Sequence, residues 1–291
     1  MTLSRRRFAA LSTAWLAGSA RRLLAIPPRP KLFVLIIAEQ FRSDYLSRFT
    51  AQFTPGGFRR LMDEGAFFPD CRLESSSFSS TGIATIATGA YPEGHGIIAE
   101  SWYDPGAKKI IGAQPSLNQA PTLADQIAAA DTRNRVLATG MDRARAGLLM
   151  GRHSILSIEP GPEEPAWMAA FRQSHSPDRF KNAKWQALQA EPNAPPLRTL
   201  VDDPARRDEF TALYNASPFA QEDQFDLVRS IIAEEKLGQG AGFDFLGVVL
   251  NSTALLGYEV GADSPLMREM VLHLDRQIES TLELLRKIAG P

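Results

Sequence analysis

Short continuous apolar runs recur along the chain, separated by longer segments whose apolar residues have a helical spacing. Residues 31–38 (KLFVLIIA), 135–139 (RVLAT) and 243–250 (FDFLGVVL) are the apolar runs, and none of them alternates apolar with polar positions. Such runs predict strands that are buried on both faces, as in a parallel sheet covered by helices.

The segments between these runs predict helices. Helical periodicity marks residues 57–65, 122–130 and 217–238, and Ser264 is expected to cap a long helix with Pro265 at its first position. The apolar stripe of this last helix comprises Met267, Val271, Leu274, Ile278, Leu282 and Leu285. Because strands alternate with helices, the pattern predicts an α/β fold, a three-layer sandwich around a mostly parallel sheet.

Residues 155–210 break this alternation. Prolines punctuate a largely polar stretch in which Trp167 and Trp185 are the expected anchors. This composition predicts an irregular cap inserted into the sheet domain.

The N-terminus has the layout of an export signal. Arg5, Arg6 and Arg7 precede the uncharged stretch 8–20, which is too short to span a bilayer. The paired arginines favour the bacterial twin-arginine route over a basic tail that lies on a membrane. We therefore expect a signal peptide at 1–20, a proline-rich spacer at 21–30 and a domain at 31–291, periplasmic or extracellular, with no membrane span in the mature protein.

Charge and cysteine content exclude two classes of protein. Without residues 1–22 the chain carries 27 basic and 33 acidic side chains, whereas a nucleic-acid binder needs a basic surface. Cys71 is the single cysteine, so an intramolecular disulfide framework is impossible. We expect Cys71 to lie in the core as a small apolar residue.

Candidate chemistry follows the predicted strands, because ligands of such sheets lie beyond the carboxyl ends of the strands. Glu39 follows the first run, and Ser79 belongs to a Ser/Thr cluster after a second strand expected to end near Cys71. A carboxylate beside a hydroxyl at a helix start suits a metal-activated nucleophile that attacks a phosphate.

Each candidate also has a commonplace interpretation. Ser79 would cap the following helix, and Glu39 would be solvated or would pair with Arg42 or Arg143. His95 would hold a Pro/Gly turn by hydrogen bonds. The other histidines are scattered, and His273 is expected on the polar side of the long helix.

Several ordered blocks resemble the type I phosphodiesterase/nucleotide pyrophosphatase branch of the alkaline phosphatase superfamily, most of all its exported threonine-nucleophile phosphatases. The blocks include Q-x-R-x-D-Y-L from residue 40, T-G-x-Y-P-x-x-H-G-I ending at Ile97, and W-Y-D at 102–104. The resemblance resumes at 217–219, 235–238 and 251–276. It implies the alkaline-phosphatase fold, a zinc site and phosphate-ester chemistry.

Carried over residue by residue, this resemblance implies a damaged site. The first metal-binding aspartate falls on Glu39, and the nucleophile falls on Ser79. An asparagine that contacts the phosphoryl group falls on Glu100, and a lysine–arginine pair falls on Met141 and Arg143. The family's S-T-D-x-x-G-H reads S-T-A-L-L-G-Y here, so that Ala254 and Tyr258 replace two zinc ligands. The family's Asp-His-Gly motif and its last histidine would lie beyond Pro291.

The resemblance thus implies an exported family member that is a pseudoenzyme, with Ser79 and Arg143 as remaining catalytic positions and Glu39 as a weak metal position. No cofactor is expected, or zinc if a residual site works. The pocket at the position of the family's active site could still bind phosphate or a phosphate ester. Two alternatives stay open. One is an active metal-dependent mono- or diesterase that uses Glu39, Ser79, Arg143 and His95. The other is the truncated product of a disrupted phosphatase gene, with the domain incomplete at its C-terminus.

Overall fold

The computed structural model describes residues 30–73, 78–162 and 164–289. The expected signal peptide and nearly all of the spacer lie outside these residues, as do residues 74–77 of the Ser/Thr cluster. The predictions that concern the signal and the spacer therefore stay predictions.

Four parallel strands form the central sheet in the order β1-β8-β4-β5, and two antiparallel hairpins accompany it. The strands are β1 (Leu32–Ala38), β2 (Ser101–Asp104), β3 (Lys109–Gly112), β4 (Val136–Gly140), β5 (Ser154–Ile155), β6 (Lys184–Trp185), β7 (Arg198–Thr199) and β8 (Asp244–Leu250). The hairpins pair β2 with β3 and β6 with β7.

Helices cover both faces of the central sheet. They are α1 (Asp44–Arg48), α2 (Phe58–Glu64), α3 (Ser79–Thr88), α4 (Pro92–His95), α5 (Leu123–Ala130), α6 (Arg143–Met150), α7 (Trp167–Ser174), α8 (Arg207–Asn215), α9 (Pro218–Glu234), α10 (Ser252–Val260) and α11 (Pro265–Ala289). Short 3-10 turns lie at Thr50–Gln52, Pro115–Leu117 and Pro177–Phe180.

The central strand β8 shows why its apolar run has no alternation, since all seven of its residues are buried. Leu246, Val248 and Leu250 pack with α9 and α11 on one face. Phe245 and Val249 pack with α3, α5 and α6 on the other. Successive side chains of a strand point to opposite faces, so both faces need apolar residues. The three-layer α/β sandwich predicted from sequence is confirmed.

Most predicted elements lie within a residue or two of the observed ones. Thr122 forms a capping box with Asp125 at the start of α5, and Ser264 accepts a hydrogen bond from the Leu266 amide at the start of α11. The prediction of a strand that ends near Cys71 is wrong, because residues 65–73 form no strand. Cys71 itself is exposed and not part of the core.

The segment predicted as a cap contains α7, β6, β7 and much irregular backbone, and its boundaries stay a prediction. Trp185 is almost fully buried, and Trp167 donates a hydrogen bond from Nε1 to Glu235 at 3.0 Å. Both tryptophans therefore anchor the segment. Within the described ranges, no helix combines the length and apolar character needed to cross a membrane.

Candidate functional site

The carboxyl ends of β1, β8 and β4 meet at one edge of the sheet because these strands are parallel and in register. Ala38 pairs with Leu250, and Gly140 pairs with Val249. The residues that follow these strand ends are therefore neighbours. The strand-end rule applied to the sequence points to this edge, and the functional site there stays a prediction.

Glu39 lies at the centre of this edge, with its side chain only 4% exposed. Its backbone is fixed by the Thr253 hydroxyl, which donates to the Glu39 carbonyl at 2.6 Å. Asn251 donates from Nδ2 to Oε2 of the carboxylate. The second oxygen, Oε1, is buried and forms no hydrogen bond of regular geometry with the described residues, and the same holds for Oδ1 of Asn251.

The partner that balances the charge of Glu39 is Arg145, in the first turn of α6. Its Nη1 lies 3.0 Å from Glu39 Oε2, its Nη2 lies 3.7 Å from Glu100 Oε2, and its Nε lies 3.5 Å from Asp142 Oδ2. One guanidinium thus faces three carboxylates. Burial raises the pKa of Glu39, while Arg145, then Ser79 and Asn251, act in the opposite direction.

Ser79 is the first residue of α3, and its hydroxyl faces the Glu39 carboxylate closely enough to lower the pKa of that group. The expectation that Ser79 caps α3 is wrong, because the N-cap residue is Phe78 and it supplies no side-chain bond. Glu100 performs the capping instead. Its Oε1 accepts from the Ser80 amide and its Oε2 from the Ser80 hydroxyl, both at 2.7 Å.

These residues line a pocket of about 510 Å³ at the sheet edge. Its polar wall contains Glu39, Gln40, Ser79, Glu100 and Arg145. The remaining lining is apolar or aromatic and comprises Ile37, Ala38, Leu73, Phe78, Gly82, Ile83, Ile86 and Tyr258. The described lining of the pocket therefore offers one cation, Arg145, against the two carboxylates Glu39 and Glu100.

Arg143, the arginine that the resemblance singles out, does not line this pocket. Its Nη1 lies 3.5 Å from Glu164 and 3.4 Å from the Ser157 hydroxyl. Residues two apart on a helix point about 200° away from each other, so only one arginine of the pair can face Glu39. The structure brings Arg145 there. The expected pairing of Glu39 with Arg42 or Arg143 is wrong, since Arg42 pairs with Asp44.

His95 holds its turn, as its commonplace interpretation predicts. Its Nδ1 accepts from the Ile97 amide at 3.1 Å, so the protonated Nε2 donates to the Thr85 hydroxyl at 3.1 Å. The ring is fully buried, and burial lowers the pKa of His95. Both ring nitrogens are engaged, which leaves His95 no lone pair for a metal.

The described residues of the pocket do not supply a zinc ligand set. Zinc favours histidine nitrogens, thiolates and carboxylates in a tetrahedral arrangement, and the described lining contains no histidine and no cysteine. Ala254 is buried and offers only a methyl group, while Tyr258 is 76% exposed. A cation beside Glu39 Oε2 would also stand next to the guanidinium of Arg145.

A separate group of residues has spacing compatible with a metal ion. Ligand atoms of His175, Asp223 and Asp226 lie within 4.8 Å of one another. Both carboxylates already have cationic partners, since Arg179 binds Asp223 and Arg229 binds Asp226 at 2.5 Å. Tyr214 also donates its hydroxyl to Asp223 at 2.6 Å. This group lies outside the pocket lining and is held together by arginines.

Sequence reasoning missed Arg145, Asn251 and the capping role of Glu100. Asn251 has a local signal, because it directly follows the buried run that forms β8. Arg145 could have been weighed against Arg143 by helical phase. The contact between Glu100 and Ser80 joins a loop to a helix start and has no sequence pattern of its own.

Comparison with known proteins shows the family of this chain. The model of the type I phosphodiesterase/nucleotide pyrophosphatase family matches residues 33–290. Alkaline phosphatase PhoV of Synechococcus elongatus is 26% identical over 90% of this chain and 57% of its own length. Alkaline phosphatase PafA of Elizabethkingia meningoseptica is 24% identical over 90% of this chain and 58% of its own. The chain thus spans under three fifths of these two relatives.

Solved structures show the same fold. The crystal structure of PafA superposes with a TM-score of 0.77 at 22% identity, over 91% of this chain and 61% of that one. A phosphonoacetate hydrolase from Sinorhizobium meliloti 1021, solved with phosphonoformate, gives a TM-score of 0.51 at 15% identity over 88% and 54%. With the family model matching most of the chain, we conclude that this protein belongs to the type I phosphodiesterase/nucleotide pyrophosphatase family, within the alkaline phosphatase superfamily.

Proposed function

We propose that this chain is an exported, catalytically degenerate member of its family that does not hydrolyse phosphate esters. The observation that carries the proposal is the contact between Arg145 and Glu39. A guanidinium supplies the positive charge at a carboxylate that would otherwise be the anchor of a metal site. It cannot act as a Lewis acid toward a hydroxyl.

The state of Ser79 supports the same conclusion. A serine hydroxyl attacks efficiently only when a general base or a metal ion activates it. No histidine lies among the described lining of the pocket, and Arg145 neutralises the neighbouring Glu39. Among the described residues, Ser79 therefore faces no histidine and no metal ligand set, and its neighbour Glu39 is already engaged by Arg145 and Asn251.

A direct assay tests this proposal. The purified mature chain would be incubated with p-nitrophenyl phosphate and with its bis-ester, in the presence of Zn²⁺ or Mn²⁺ and after chelation. We expect turnover equal to that of Ser79→Ala in every condition. Metal-dependent turnover that disappears in Ser79→Ala would overturn the proposal. Metal content, measured on the same samples, shows whether a metal is retained.

One observation favours the active alternative. Oε1 of Glu39 and Oδ1 of Asn251 are buried and accept no hydrogen bond of regular geometry from the described residues. Oxygen atoms of this kind suit Mg²⁺ or Mn²⁺ better than zinc. The second candidate function is therefore a phosphate-ester hydrolase with a single oxygen-ligated metal ion. It predicts Mn²⁺-restored turnover that decreases in Arg145→Ala, because Arg145 is the arginine that faces Glu39.

A further inference from the structure

A carboxylate of the chain itself occupies the N-terminus of α3. The backbone N–H groups at a helix N-terminus and the helix dipole together attract anions. Here both oxygens of Glu100 accept hydrogen bonds from Ser80, one from the backbone amide and one from the hydroxyl, each at 2.7 Å. Glu100 therefore lies where a free anion would bind.

Arg145 holds this carboxylate from the opposite side. Its Nη2 is 3.7 Å from Glu100 Oε2, and its Nη1 is engaged by Glu39 at 3.0 Å. The donors that could bind a tetrahedral oxyanion, the Ser80 amide and the Arg145 guanidinium, are thus already taken by carboxylates. Among the described lining residues, two carboxylates face one guanidinium, so a phosphate dianion would meet net negative charge.

We propose that Glu100 is the residue that excludes phosphate from this pocket, by acting as a resident anion at the start of α3. The inference rests on the proposed function, since it explains why a pocket of about 510 Å³ at this position would have no phosphate-ester substrate. It goes further in naming one side chain as the cause. Removal of that side chain should leave an anion site built from Ser80 and Arg145.

Binding of inorganic phosphate, measured by calorimetry on the full mature chain, tests the inference. The wild type is expected to bind phosphate no more tightly than it binds the anions of the buffer. Glu100→Ala and Glu100→Asn are expected to bind phosphate about tenfold or more tightly than the wild type, because both a like charge and an occupant are removed. Glu100→Gln should gain less, since its carbonyl oxygen can still accept from the Ser80 amide.

Two further variants locate the effect. Glu93→Ala, which removes an exposed glutamate on the neighbouring helix α4, should behave as the wild type. Addition of Arg145→Ala to Glu100→Ala should abolish the gained binding. The inference would be overturned if Glu100→Ala and Glu100→Asn bound phosphate no more tightly than the wild type does. Cooperative unfolding of these variants would show that they are folded in that experiment. Hydrolysis by the wild type would instead overturn the proposed function, so the two failures are distinguishable.

Discussion

His273 lies in the middle of α11, and its Nε2 atom is buried and has no hydrogen-bond partner in the part of the chain that the structure describes. Helical phase placed it on the polar side, and that expectation is wrong. Burial lowers the pKa of His273 to about 4, with a smaller opposing effect of Glu269. The ring is therefore neutral at physiological pH, and protonation requires a charge to be placed in a poorly solvated position.

This histidine predicts a pH dependence of stability. The unfolded state binds its proton near pH 6.5 and the folded state only near pH 4. The free energy of unfolding should therefore decrease as the pH falls through this interval, by on the order of 3 kcal/mol in total. Urea unfolding at several pH values between 7 and 4.5 measures this decrease, and it should be absent in His273→Gln. If the free energy of unfolding changed with pH in the same way in the wild type and in His273→Gln, the prediction would be contradicted.

At the scale of elements, α11 fixes the start of α2. Asp275 is buried, and its two oxygens accept from the amides of Thr54 and Phe58, both at 2.7 Å. Glu279 accepts from the Gly56 amide at 3.0 Å. A Cβ at Gly57 would lie 2.1 Å from Asp275 Oδ1, so glycine is required for this close approach. Two carboxylates of one helix thus replace the caps that the sequence of α2 lacks.

Removal of this contact should destabilise the protein. Asp275→Ala would leave two backbone N–H groups unpaired, at a cost of about 2–4 kcal/mol in the free energy of unfolding. Asp275→Asn keeps one acceptor oxygen and should cost less. Glu283→Ala, at an exposed position on the same helix, is the matched control and should change little. Thermal and urea unfolding would measure all three, and equal stability of Asp275→Ala and Glu283→Ala would refute the role of Asp275.

The same elements show which parts of the fold are accessible from sequence. The runs that form β1 and β8 and the stripe of α11 are local patterns, and local patterns report secondary structure and burial. The contact of Asp275 with Phe58 spans 217 residues and leaves no local pattern. The site divides in the same way. Glu39 directly follows a predicted strand and could be found from the sequence. Arg145 reaches the site because of its position around α6 and its tertiary contact with Glu39.

At the scale of the whole molecule, the expected export signal and the folded domain belong to separate parts of the chain. The twin-arginine route transports proteins that have already folded, so the domain should fold with residues 1–30 still attached. Nothing in the proposed function requires a metal to be loaded before export.

Substitution of the arginine pair tests the route. Arg5→Lys with Arg6→Lys should keep the full-length precursor in the cytoplasm, because the pair is the recognised feature. The chain offers a matched control in its second arginine pair, and Arg21→Lys with Arg22→Lys should be exported normally. Fractionation with an antibody against the domain measures both. Equal export of the two variants would exclude the twin-arginine route.

The exposure of Cys71 has a practical consequence for following the pocket. It is the single cysteine of the chain, and it precedes by two residues Leu73, which lines the pocket wall. A maleimide dye would therefore attach at one position, beside the pocket, in the otherwise native sequence. A change in the emission of that dye would report the arrival of a ligand without any engineered label.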